Sequence, residues 1–196
     1  MRRLLAALLA VTALAACSSS PGGSADRLSL EATTTTAVSP AAAALAGRLP
    51  TTVLDGFTRT DAELGNGPLD LEAAATSSND PASERQTLRR RGFVRGVSRS
   101  WVNGASGDTV YVAVYEFTDP AGAAGYATDQ VAALTAHGAT PFPGGFTTVE
   151  QDGGTTLTTH AAMRQVGIRW ALVLVASQKA DRLPAEAVQV AGAIRL

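Results

Sequence analysis

The 196-residue chain contains one cysteine and two histidines. A lone cysteine cannot close an internal disulfide, so the fold has no covalent staple of that kind. Cys17, His137 and His160 are too few and too scattered for a zinc or other transition-metal site, which asks for several nitrogen or sulfur ligands at close spacing. The sequence also lacks a G-x-S-x-G elbow, a P-loop, and an S-x-x-K beside a supporting motif. "GNG" at Gly65–Gly67 precedes no strand–helix unit of the dinucleotide-binding kind. Asp61, Glu63, Asp70 and Glu72 cluster in sequence without the EF-hand spacing, and solvation accounts for them better than calcium. Basic charge is not in excess, with 16 Lys and Arg against 17 Asp and Glu. That gives no global electrostatic footing for nucleic acid. Lys179 is the one lysine among many arginines, alanines and glycines, a bias of a GC-rich genome before it is a feature of function. No cofactor is implied by any of these residues.

What the sequence does have begins at its first residues. Arg2 and Arg3 precede an apolar run from Leu4 to Ala16, the layout of a secretory signal. The run is shorter than the roughly 20 residues that span a bilayer, and no later run reaches that length. It ends in Leu14-Ala15-Ala16-Cys17, followed by "SSSPGGS". This resembles the lipobox of bacterial lipoproteins. The resemblance implies cleavage of residues 1–16 and a diacylglycerol thioether-linked to Cys17. Two acyl chains suffice for stable anchoring where one is marginal. The expected partner of the N-terminus is therefore membrane lipid, with the protein held on the membrane outside the cytoplasm. Loss of residues 1–16 takes two arginines and no acid, so the formal charge moves from −1 to about −3.

Residues 17–38, rich in Ser, Thr, Gly and Pro, cannot bury a core and read as a flexible tether. Residues 39–196 read as a single α+β domain. Helices are expected over Ser39–Gly47, weakly over Leu69–Ala75, from the Asp80 cap to Gly92, from the Asp119 cap to Gly138, and from Asp181 to about Ala193. The helix after Asp119 shows an apolar stripe of Ala123, Tyr126 or Ala127, Val131 and Leu134. Two strands joined by "NGASG" form a hairpin, and three more form a meander after Gly145. The expected architecture is one antiparallel sheet of about five strands flanked by helices. The strand "IRWALVLVAS" is apolar on both faces toward its end, which places it centrally.

The stretch "RRRGFVRGVSRSW" carries five arginines, Arg89, Arg90, Arg91, Arg95 and Arg99. The first three suit a helix C-terminus. In a strand, Phe93, Arg95, Val97, Arg99 and Trp101 share one face. Pairing Val102 with Thr109 sets Arg99 opposite Val112, Arg95 opposite Glu116, Gly96 opposite Tyr115 and Val94 opposite Phe117, so small residues lie beside aromatics. Two readings of Arg99, Trp101 and Arg95 stay open. They form a groove for an anionic headgroup or sugar acid, or Arg95 pairs with Glu116 while Arg99 stacks near Trp101. His137 suits the last turn of its helix. His160 shares a strand face with Thr156, Thr158, Ala162 and Arg164, which reads as a polar, solvated sheet surface.

The segment "GFVRGVSRSW…VYVAVYEFTDPAGAAGYA" resembles uncharacterised lipoproteins of mycobacteria and their actinobacterial relatives. The element order is loosely similar to PsbP-like lipoprotein domains, a resemblance that transfers no residue. Three functions follow as expectations. One is a non-enzymatic envelope lipoprotein binding a lipid, glycan or other anion, or an envelope protein. Another is an envelope hydrolase or transferase working through carboxylates and His160. The third is a structural accessory subunit of an envelope complex.

Overall fold

Among the described residues eight strands, not five, make up the antiparallel sheet. The structure, a computed structural model, describes residues 39–60, 66–152, 154–179 and 182–196. The signal segment, Cys17, the tether, Asp61, Glu63 and Asp181 lie outside the described residues. The five expected strands are β3 (Phe93–Asn103), β4 (Thr109–Phe117), β6 (Gly145–Asp152), β7 (Thr155–Val166) and β8 (Arg169–Ser177). The additions, β1 (Phe57–Arg59), β2 (Gly67–Leu69) and β5 (Thr140–Phe142), are three residues each. Segments this short carry no alternation to read. Two contain proline, Pro68 and Pro141, which argues against a strand in sequence and fits only an edge. The sheet order is β1-β3-β4-β8-β7-β6-β5 with β2 also paired to β3, so all three sit at edges.

The helices follow their caps. Ser39 Oγ accepts from Ala42 N ahead of α1 (Pro40–Ala46), and Asp70 Oδ1 from Ala73 N ahead of α2 (Leu71–Thr76). Asp80 and Asp119 likewise cap α3 (Pro81–Arg90) and α4 (Pro120–Ala136), each with proline in the first turn. Gly92, at φ 73, takes the left-handed turn that ends α3 and launches β3. For α5 (Pro184–Ala193) the N-cap position is Leu183, whose N–H donates to Glu186 Oε2 at 2.8 Å. α2 starts two residues later than expected because Leu69 belongs to β2.

The β3–β4 register runs Val102↔Thr109, Arg99↔Val112, Gly96↔Tyr115 and Arg95↔Glu116. A Cβ on Gly96 would stand 2.8 Å from Tyr115 Cδ1, so the aromatic ring requires glycine beside it. Beyond Arg95 the register shifts, and Phe93 rather than Val94 faces Phe117. The extra residue of the bulge moves Phe93 off the arginine face. Its ring stands edge-on to Tyr115 and Phe117, while Val94 is exposed.

The sheet carries a core on each face. On one, α1 and α5 cover Val110, Val112, Val114, Val173 and Val175, all fully buried. Each such valine contributes about 1.5–3 kcal/mol relative to exposure. On the other, α2, α3 and α4 cover Ala113, Tyr115, Phe117 and Trp170. β8 lies between β4 and β7 and supplies both cores, the central position its double apolarity indicated. Among the described residues no helix is long and apolar enough to cross a membrane.

Candidate functional site

All five arginines of the basic stretch are committed within the fold. Arg89 reaches Glu72 at 3.8 Å, and Arg90 and Arg91 converge on Asp129 at 3.2 and 2.8 Å. Together they tie the end of α3 to α2 and α4. Arg95 and Arg169 share the carboxylate of Glu116 across three strands. Burial works against that carboxylate, but the two guanidiniums outweigh it and hold it below the usual range. Arg99 donates Nη1 to Pro50 O at 2.8 Å and Nη2 to Ala46 O at 3.5 Å, closing the C-terminal end of α1. Trp101 beside it is 1% exposed. The α1-covered face thus directs Arg99 at backbone carbonyls and encloses Trp101, while Arg95 has its carboxylate across the hairpin.

His160 departs from the solvated position its strand pattern indicated. It is 5% exposed, because the N-terminal approach to α5 covers that end of the sheet. Nε2 lies 2.9 Å from Arg182 O and Nδ1 2.9 Å from Thr147 Oγ1. A carbonyl only accepts, so Nε2 carries a hydrogen and both ring nitrogens are occupied without a carboxylate. Arg164, on the same face, donates to Ala191 O at 2.8 Å at the end of α5. Alternation marked this face as polar; the covering helix comes from elsewhere in the chain.

Near His160 stands a buried ion pair. Asp108, 1% exposed, accepts from Arg182 Nε at 2.8 Å and from Ser106 Oγ at 2.6 Å. Burial raises its pKa, and the hydrogen bonds of Ser106, Arg182 and Ser177 outweigh that, leaving it lowered. Arg182 also pairs with Glu186 at 3.1 Å and lies over the ring of Phe57. Among the described residues no group of three or more His, Cys, Asp or Glu is placed to hold a metal ion.

The open space is on the opposite face of the sheet. The first half of α4 packs down through Ala123 and Tyr126, both buried. Tyr126 donates its hydroxyl to Glu84 Oε1, and Gln130 donates Nε2 to Glu84 Oε2 at 3.3 Å, fastening α4 to α3. Burial pushes the Glu84 carboxyl up, and these hydrogen bonds only partly offset it. Beyond Gln130 the helix stands off the sheet. Val131, expected in its apolar stripe, is 40% exposed, while Leu134 lines a cleft of about 180 Å³. On the same measure one water needs about 10–15 Å³. Leu172, Leu174 and Ala176 of β8, with Ala161 and Met163 of β7, form the floor. Ala133, Leu134 and His137 form the α4 wall, and Asn79, Thr148 and Glu150 also line the space.

Eight of the fifteen lining residues carry a polar side-chain group, yet the surface they turn to the space is mostly apolar, and Glu150 is the one carboxylate among them. Tyr111 turns its hydroxyl to Ser98 and Ser77, and burial raises its pKa. Glu150 is half-buried, no described residue hydrogen-bonds or pairs with it, and burial pushes its carboxyl up. Sequence reasoning found His137 and Leu134 but not the cleft. One signal was available, the small residues Thr159 and Ala161 on β7 beneath the second half of α4; small side chains there leave the space that a larger pair would fill. Comparison with protein-family models, curated proteins and solved structures gives no significant match, so the functional reading rests on this chain's own residues.

Proposed function

We propose that the chain is a non-enzymatic cell-envelope lipoprotein whose folded domain binds a small apolar ligand in the cleft between α4 and the sheet. A lipidated Cys17 would hold it on the membrane outside the cytoplasm. The observation that carries the binding role is the floor of the cleft. Leu172, Leu174, Ala161 and Met163 face a space of about 180 Å³ rather than a packed helix. Apolar walls around a gap forgo dispersion contacts that a filled core has. A largely apolar concavity with a few polar groups is the usual form of a small-molecule site. The cleft shares no residue with the lipobox, which bears only on location. The hydrolase reading draws no support from His160, whose two nitrogens are spent on Thr147 and Arg182.

The test is titration of the purified protein with an environment-sensitive apolar dye, N-phenyl-1-naphthylamine. Ala133 lines the cleft from an exposed helix position, so Ala133→Trp fills the space without disturbing the core. Saturable dye binding that weakens about tenfold or more in Ala133→Trp, at unchanged melting temperature, supports the reading. Absent binding, or binding indifferent to Ala133→Trp, overturns it.

A further inference from the structure

We infer that the ligand of the α4 cleft carries a hydrogen-bond-donating, non-anionic head, with a primary amine the strongest case, and that Glu150 receives it. The inference rests on the cleft being a ligand site and adds the chemistry of what it takes.

Glu150 differs from the other partly buried carboxylates of the fold. Asp108 has Arg182 and Ser106, Glu116 has Arg95 and Arg169, and Asp129 has Arg90 and Arg91. Glu84 has Tyr126 and Gln130, and Glu186 has Arg182 and the Leu183 N–H. Glu150 lines the cleft from β6 and receives nothing from any described residue. A half-buried carboxylate without a donor loses solvation and regains nothing from the protein. Its raised pKa expresses the same cost.

The rest of the described lining offers an anion no fixed positive charge. From α4 come Gln130 and His137, the latter exposed at the wall; from the turn between α2 and α3, Asn79; from β4, Thr109 and Tyr111; from β7, Thr159; from β6, Thr148. β8 contributes only Leu172, Leu174 and Ala176. Among the described residues no arginine or lysine lines the space. Arg90 and Arg91, at the α3–α4 contact, are held by Asp129. A carboxylate or phosphate head would lose its hydration, find no guanidinium, and meet Glu150. An ammonium head would instead make a charge-assisted hydrogen bond there, in a setting less screened than water.

Dodecylamine, dodecanol and dodecanoate share one chain and differ at the head. Each is titrated at neutral pH as a competitor of N-phenyl-1-naphthylamine on the full protein. The expected order of affinity is amine, alcohol, carboxylate, with about tenfold or more between first and last. Glu150→Gln removes most of that difference by weakening the amine and strengthening the carboxylate. Equal affinity for the three heads, or an order that Glu150→Gln leaves unchanged, overturns the head-group inference while dye binding still stands for the cleft. Failure of the dye to bind, or its indifference to Ala133→Trp, overturns the cleft and this inference with it.

Discussion

Replacing Arg99 with methionine separates a structural duty from a binding one. Methionine keeps most of the apolar stem and deletes the guanidinium that reaches Pro50 O at 2.8 Å and Ala46 O at 3.5 Å. A hydrogen bond from a charged donor contributes about 1.5–3 kcal/mol, and a contact near 3.5 Å adds little. Against that stands the cost of holding the guanidinium there. Burial first, and repulsion from Arg59 second, lower its pKa, so losing the charge returns part of the loss. The balance is a destabilisation of about 1–2 kcal/mol. A domain of this size loses about 2–4 °C per kcal/mol, so the melting temperature falls by about 2–8 °C. Urea unfolding should show a lower midpoint at unchanged slope, since the exposed surface is the same. Dye binding in the α4 cleft, on the other face of the sheet, should not change. An unshifted midpoint, or lost binding at full stability, refutes the helix-capping role and returns Arg99 to ligand recognition.

Other perturbations probe the buried pair and the anchor. Asp108→Asn removes the charge facing Arg182 and should cost about 3 kcal/mol at neutral pH, the low end for a broken buried pair because Arg182 keeps Glu186. Asp108 has a lowered folded-state pKa, so its contribution is present above the unfolded carboxylate value of about 3.9 and is lost as pH falls through the folded value. Chemical denaturation across the acid range should therefore show wild type and Asp108→Asn converging as pH drops; a constant gap contradicts the assignment. Cys17→Ala should release the protein into the soluble fraction after carbonate washing, and continued membrane retention counts against lipid anchoring. Among these variants, only those that line the cleft, Ala133→Trp and Glu150→Gln, should alter dye displacement.

Much of the framework was legible because it is written locally. Asp80-Pro81 and Asp119-Pro120 announce helix starts within two residues, and the hairpin register follows from matching small residues to Tyr111 and Tyr115. What was missed depends on distant segments. Three-residue edge strands have no period, and the bulge at Val94 moves Phe93 to the other face through one added residue. His160 looked solvated because its strand neighbours are polar, and only the approach to α5, more than twenty residues on, buries it. The cleft was the least legible part. It arises where the packed half of α4 ends at Gln130, and no single segment encodes a gap between a helix and a sheet. The arginine stretch drew attention by its density, yet its charges serve joints between α1, α2, α3, α4 and the sheet.

One such joint lies where the first helix meets the last residues. Arg48 donates to Arg195 O, Arg195 N donates to Arg48 O at 3.2 Å, and the Arg195 side chain reaches Gly47 O. If the chain is held at Cys17, a pull enters the fold at Ser39 and arrives at this clasp and at the Arg99 contacts behind it. The α4 cleft lies on the far side of the sheet, out of that line of force. Tension would peel α1 from β3 first, and the strands that floor the cleft would be the last to feel the load.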